Sequence, residues 1–177
     1  PIYNQNGADL TLNLGLHTLA LPATLQVASP LVITAESGGD VEGTITAGTE
    51  FDASGSVYLI SNESDLELAS GTISVYTGRI GVYNEGTFEM SDGYIMADGG
   101  TGIENANDAT ISGGRIQVME SGIGVMNANM VTTMKGGIID VQSGTGVNAF
   151  TPFVMEGGQI LRQVSGARPK HAIEAML

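Results

Sequence analysis

A short phrase, Gly-x-Ile, returns every 21 to 23 residues along this chain: Gly71-Thr72-Ile73, Gly93-Tyr94-Ile95, Gly114-Arg115-Ile116, Gly137-Ile138-Ile139 and Gly158-Gln159-Ile160. Two further marks keep the same beat. An asparagine recurs at Asn62, Asn84, Asn105, Asn127 and Asn148, and an apolar residue precedes each glycine at Leu68, Met90, Ile111, Met134 and Met155. Three marks held in phase over five copies constrain the fold more than any other property of the sequence. A repeat of this length is one coil of a solenoid, stacked on the coil before it.

Within each repeat the apolar residues alternate over three to five positions, as in Leu66-Glu67-Leu68 and Ile73-Ser74-Val75. A period of two means strands, because successive side chains point to opposite faces. No segment carries helical spacing over the ten or more residues a crossover helix needs. The expected fold is all-β: a single-stranded parallel β-helix, or β-solenoid, with three strands per coil of about 21–23 residues. Residues one repeat apart then lie on top of one another. Ile73, Ile95, Ile116, Ile139 and Ile160 form one inward column, and Leu68, Met90, Ile111, Met134 and Met155 a second. The glycine before each Ile supplies a bend where a side chain would clash with its stacked neighbour. The asparagines read as a stacked ladder at a turn.

Residues 1–161 are expected to form the solenoid, with 1–42 as irregular first coils or a cap. Their short runs Leu10–Leu12, Leu19–Leu21, Leu25–Val27 and Leu31–Ile33 are split by Pro22 and Pro30. An early copy, Gly43-Thr44-Ile45, precedes Gly71 by 28 residues, and the excess is assigned to a loop protruding at Ala47–Ser56. Residues 162–177 differ in composition and are read as a short C-terminal capping segment or docking tail. Pro169 is placed to open a short helix there.

Composition narrows the partners. The net charge is −13, from 19 acidic residues against six Lys and Arg, which disfavours nucleic acid and anionic membrane surfaces. No apolar run approaches the roughly 18 residues that suggest a membrane helix, so no membrane insertion is expected. With no cysteine, disulfides neither staple the fold nor report its compartment. A chain that opens on Pro1 without a signal peptide reads equally as a processed secreted chain or an excised fragment.

The phrases Gly86-Thr87-Phe88-Glu89-Met90-Ser91-Asp92-Gly93-Tyr94-Ile95 and Val154-Met155-Glu156-Gly157-Gly158-Gln159-Ile160 resemble the repeats of right-handed parallel β-helix surface proteins. These are the autotransporter passenger and bacterial adhesin type. The resemblance covers roughly residues 43–161. It implies a right-handed coil and an extracellular, prokaryotic cell-surface, largely non-enzymatic role, with carbohydrate or a host or cell-surface protein as possible partner.

Few residues look chemical. The mid-chain acids Asp92, Asp98, Glu104 and Asp108, with Arg115 the nearest base, lie one or more coils apart and form no catalytic pair. They read as solvated turn acids. The rival reading, a carbohydrate-active lyase or hydrolase or a tailspike-like polysaccharide binder, would need carboxylates converging on a cleft. His17 and His171 have no second ligand at metal spacing, so zinc is not expected. Glu63 over Glu85 and Glu67 over Glu89 put like charges one coil apart. Either they splay into solvent, or a divalent cation such as Ca²⁺ or a basic partner lies between them; no cofactor is otherwise expected. Tyr83, Glu104 and Met126 share one outward register position, as do Tyr94, Arg115 and Ile138, and Ser74, Met96, Gln117 and Asp140.

Sequence position maps to height in a solenoid. Residues 1–78 hold nine acidic residues and no Lys or Arg, whereas the last 16 hold three basic residues against one acidic. Asp9, Glu36, Asp40 and Glu42 mark the acidic end; Arg162, Arg168, Lys170 and His171, with Met176 and Leu177, mark the other. Unlike ends attract head to tail. The expected function is a non-enzymatic structural or adhesive protein that self-associates end to end into oligomers or filaments.

Overall fold

Short alternating runs joined by Gly, Asn and Ser turns leave the chain one economical way to bury its apolar residues, which is to wind and stack. A computed structural model shows this arrangement. The structure describes residues 2–4, 9–38, 41–51, 55, 57–163 and 173–175.

One coil stands for the rest. Ile80–Asn84 lies on a first face, Thr87–Met90 on a second and Tyr94–Asp98 on a third. Thr101–Asn105 then returns to the first face, parallel to Ile80–Asn84. Repetition builds three parallel sheets. The first has eight strands, from Ile2–Asn4 to Ile173–Ala175; the second has seven, from Leu10–Asn13 to Phe153–Met155; the third has seven, from Thr18–Leu21 to Gln159–Arg162. The result is an all-β solenoid of about seven turns, with no helix among the described residues.

The inward columns form the core. Ile45, Ile73, Ile95, Ile116 and Ile139 follow one another in register, each at most 1% exposed. Leu68, Met90, Ile111 and Met134 do the same on the second face. Gly93 shows why glycine precedes each Ile. Its φ is 90°, and a Cβ there would stand 2.8 Å from the Gly71 carbonyl oxygen of the coil below. Only glycine meets both conditions without strain.

The irregular first 42 residues supply ordinary coils. Leu10–Asn13, Thr18–Leu21, Leu25–Val27 and Leu31–Thr34 each pair in parallel with the coil above. A two-stranded antiparallel hairpin, Ser37–Gly38 with Val41–Glu42, leaves the second coil before Thr44–Ala47 resumes the third face.

Five expectations need correction. Asn148 is not on the asparagine ladder: it aligns with Met126, and Ala149 takes the place above Asn127. The coil keeps the offset that pairs Asn105 with Asn127, and Asn148 comes one residue too early for it, which leaves the asparagine at the outward position of Met126. The column Leu68 to Met155 is in register, but its last member Met155 is 45% exposed, because no described coil covers it. Ser74 and Asp140 hold outward positions yet are 4% and 1% exposed, covered by longer neighbours. The stretch beyond Ala47 does not simply protrude, since Phe51 turns back into the core and is fully buried. Finally, Ile173–Ala175, placed in a helix by Pro169, is a strand parallel to Val147–Ala149. The sheet edge offers each residue backbone partners that an isolated two-turn helix lacks.

Candidate functional site

The outward face of the third sheet carries the densest polar network. Outward residues of successive coils stand about 4.8 Å apart, and diagonal neighbours stay within reach of long side chains. Arg115 faces Ile138 across the pair of strands, and Gln117 faces Asp140. The Arg115 guanidinium crosses this diagonal and donates to Asp140 Oδ2 in an ion pair. Gln163 Nε2 donates to the same carboxylate from the other side, at 3.2 Å to Oδ2. One coil below, the Tyr94 hydroxyl donates to Gln117 Oε1. Asp140 is thus a carboxylate on an outer face that side chains have sealed from water.

Burial pushes the Tyr94 phenol above its ordinary value, with Asp140 adding to the rise and Arg115 opposing it. Tyr94 therefore stays a neutral donor. This pairing was absent from the sequence reading although both columns were in it. Arg115 and Asp140 sit in different columns, and only crossing the two columns diagonally brings the charges together. Truncating Arg115 to Ala should leave the buried Asp140 held by Gln163 alone. We expect a loss of about 2 kcal/mol in urea unfolding, below the roughly 3–5 of a fully buried pair, because the Arg115 side chain is 45% exposed. Asp140→Asn, which keeps an acceptor without a charge, should cost less.

On the first face, Tyr58 and Tyr83 stack with ring centroids 4.4 Å apart and planes 15° from parallel. Burial raises the Tyr83 phenol, and the Glu85 carboxylate raises it further. Burial alone pushes the Glu104 carboxyl up. Tyr83, Glu104 and Met126 do share one column.

The glutamate pairs fall where the repeat register puts them. Glu67 and Glu89 are direct partners on the second face, beside a shallow groove floored by Leu31 and Leu66 and edged by Asp65 and Thr87. Each carboxylate accepts a hydroxyl from the coil above, Glu67 from Ser91 and Glu89 from Ser112 at 3.1 Å. Glu63 and Glu85 follow the paired Asn62 and Asn84, and both are exposed. Among the described residues no three His, Cys, Asp or Glu side chains converge as a metal-ion site.

Asp92 and Asp108 are exposed, Asp98 is half-buried, and none of them joins Arg115. At the acidic end Asp9 and Glu36 are exposed. Glu42 is occupied, accepting from the Gly71 N–H at 3.2 Å and the Thr72 hydroxyl at 3.3 Å. Asp40, Arg168, Lys170, His171, Met176 and Leu177 lie outside the described residues. Arg162, the first residue of the basic end, is described. It aligns with Val141, in the inward column of Val75, Ala97 and Val118, and its Nη1 is buried without a hydrogen-bond partner.

Comparison with protein-family models, curated proteins and solved structures finds no match to this chain.

Proposed function

We propose that this chain is a non-enzymatic structural or adhesive β-solenoid of the extracellular surface type, whose copies associate end to end. The observation that carries the reading is the state of the last described coil. There the inward columns run out into solvent: Met155 is 45% exposed where Leu68, Met90 and Met134 are fully buried, and Ile160 is only half-buried where Ile73, Ile95, Ile116 and Ile139 are buried. Among the described residues Phe153–Met155 and Gln159–Arg162 are also the last strands of their sheets. An edge with unpaired backbone groups and a bare apolar core is a template for another strand.

A second copy fits this edge. Its Leu10–Asn13 and Thr18–Leu21 are the opposite edges of the same two sheets. On the first face, Ile173 of one copy and Ile2 of the next hold the same column, so one of the two short strands yields its place. The acidic residues of the first 78 positions would face the basic residues near the other end. The Gly, Ser, Thr and Asn turns and the absence of cysteine support an exported setting.

The reading predicts concentration-dependent assembly that weakens as salt screens the ends. Light scattering with negative-stain microscopy at low and high ionic strength checks it. Particles that lengthen along one axis at low salt are expected; a species that stays monomeric at high concentration and low salt removes the reading.

One observation favours polysaccharide binding as a second reading. Tyr94, Arg115 and Gln117 form a polar strip along the third face, the kind of donor and acceptor row that hydroxyl-rich chains use. Retention on immobilised polysaccharide that Tyr94→Ala abolishes would support it.

A further inference from the structure

We infer that Arg162 of one copy docks against Glu50 of the next, and that this contact sets the order of the end-to-end assembly. The inference rests on the end-to-end reading and names the charged pair within it.

The argument starts from one column. Leu21, Ala47, Val75, Ala97, Val118, Val141 and Arg162 succeed one another at the last inward position of the third face. Leu21 belongs to the first strand of that sheet and Arg162 to its last. Every intermediate member is apolar and, from Val75 to Val141, fully buried. A guanidinium therefore ends a column that is otherwise hydrocarbon, lying over Val141 with a buried N–H that nothing satisfies. Such a donor is costly unless an acceptor reaches it.

Copies stacked in register place Leu21 of the incoming copy over Arg162. Beside Leu21, at the same corner of the coil, Ala20, Pro22, Ala47, Gly48, Thr49 and Glu50 line an open surface hollow of about 420 Å³. That volume admits a guanidinium head. Glu50 is exposed, and its carboxylate has no ion pair among the described residues. The arginine stem is long and flexible, so the head swings from the column top into this corner while its methylenes stay on Val141. An unsatisfied cation at one end thus meets an unpaired carboxylate at the matching corner of the other. No second acid is needed to define the polarity.

A charge swap tests the pair in the full-length chain. Glu50→Arg and Arg162→Glu should each weaken assembly about tenfold or more, as loss of a desolvated interfacial charge pair does. The double swap should restore assembly to within a few-fold of the original. Far-UV circular dichroism and thermal unfolding of each variant show whether the solenoid is kept, and Arg162→Gln serves as a neutral variant if Arg162→Glu unfolds. Unchanged assembly of the single variants, or a double swap that fails to rescue, overturns the Arg162–Glu50 contact and leaves the end-to-end reading standing. An original chain that never assembles overturns both.

Discussion

Ile116→Asp should abolish cooperative folding of the solenoid. Ile116 is 1% exposed and lies between Ile95 and Ile139, in the middle of a column that crosses most of the stack. A carboxylate there has hydrocarbon above and below it and no polar partner at that depth. Burying such a group costs several kcal/mol even after its pKa rises. The whole fold of an ordinary domain is stable by only about 5–15 kcal/mol. Each coil rests chiefly on its immediate neighbours, so the break divides the stack into two short pieces, neither with many coils to share the loss. Far-UV circular dichroism and urea unfolding should show a lost or strongly broadened transition. Ile116→Val, which removes one methylene, should cost only about 0.5–1.5 kcal/mol. If the aspartate variant unfolds as cooperatively as the parent, the column is not the core.

Asn84→Asp is the second large effect, and its size depends on pH. Asn84 is fully buried. Its Oδ1 accepts from Asn62 Nδ2 at 2.7 Å, while its own Nδ2 donates to Asn105 Oδ1 at 2.8 Å and to the Asp108 carbonyl at 2.9 Å. A carboxylate keeps the first bond and turns the other two into acceptor-against-acceptor contacts. Burial and this repulsion both favour the protonated form, so the introduced carboxyl has a folded-state pKa above its unfolded value. The stability it permits is present at pH below the ordinary carboxylate range and is lost as pH rises through the raised value. The variant should be destabilised by roughly 2–4 kcal/mol at neutral pH and recover in acid, where the protonated oxygen donates again. Thermal unfolding across acid and neutral pH checks this. Equal destabilisation at both ends of that range would mean the ladder bonds contribute little.

The scaffold was readable because its causes are periodic. Ile73 through Ile139 announce themselves by spacing, and stacking turns equal spacing into contact. The tyrosine, arginine and aspartate of the third face were readable only as columns. Their ion pair depends on the reach of Arg115 along a diagonal, which no count of repeat positions reports. Asn148 misled because it falls one residue short of the offset that pairs Asn105 with Asn127, and a one-residue slip changes the face of a side chain. Phe51 and the hairpin Ser37–Glu42 belong to single coils, so no second copy betrays their structure. Arg162 reads from composition only as part of the basic end. Its inward position followed from the same register that placed Val141.

The asparagine ladder has a direction. Asn62 donates to Asn84, Asn84 to Asn105 and Asn105 to Asn127, and Asn127 Nδ2 ends the series on the carbonyls of Thr151 and Pro152. At the other end Asn62 Oδ1 accepts from the Ser64 N–H. All four amide dipoles therefore point the same way and strengthen one another, by about 10–30% per bond in condensed-phase estimates. Their sum places partial positive charge toward the later coils and partial negative charge toward the earlier ones. The interior of the solenoid thus has the same electrical polarity as its surface charge, and a coil turned over within the stack would break two bonds of the chain at once.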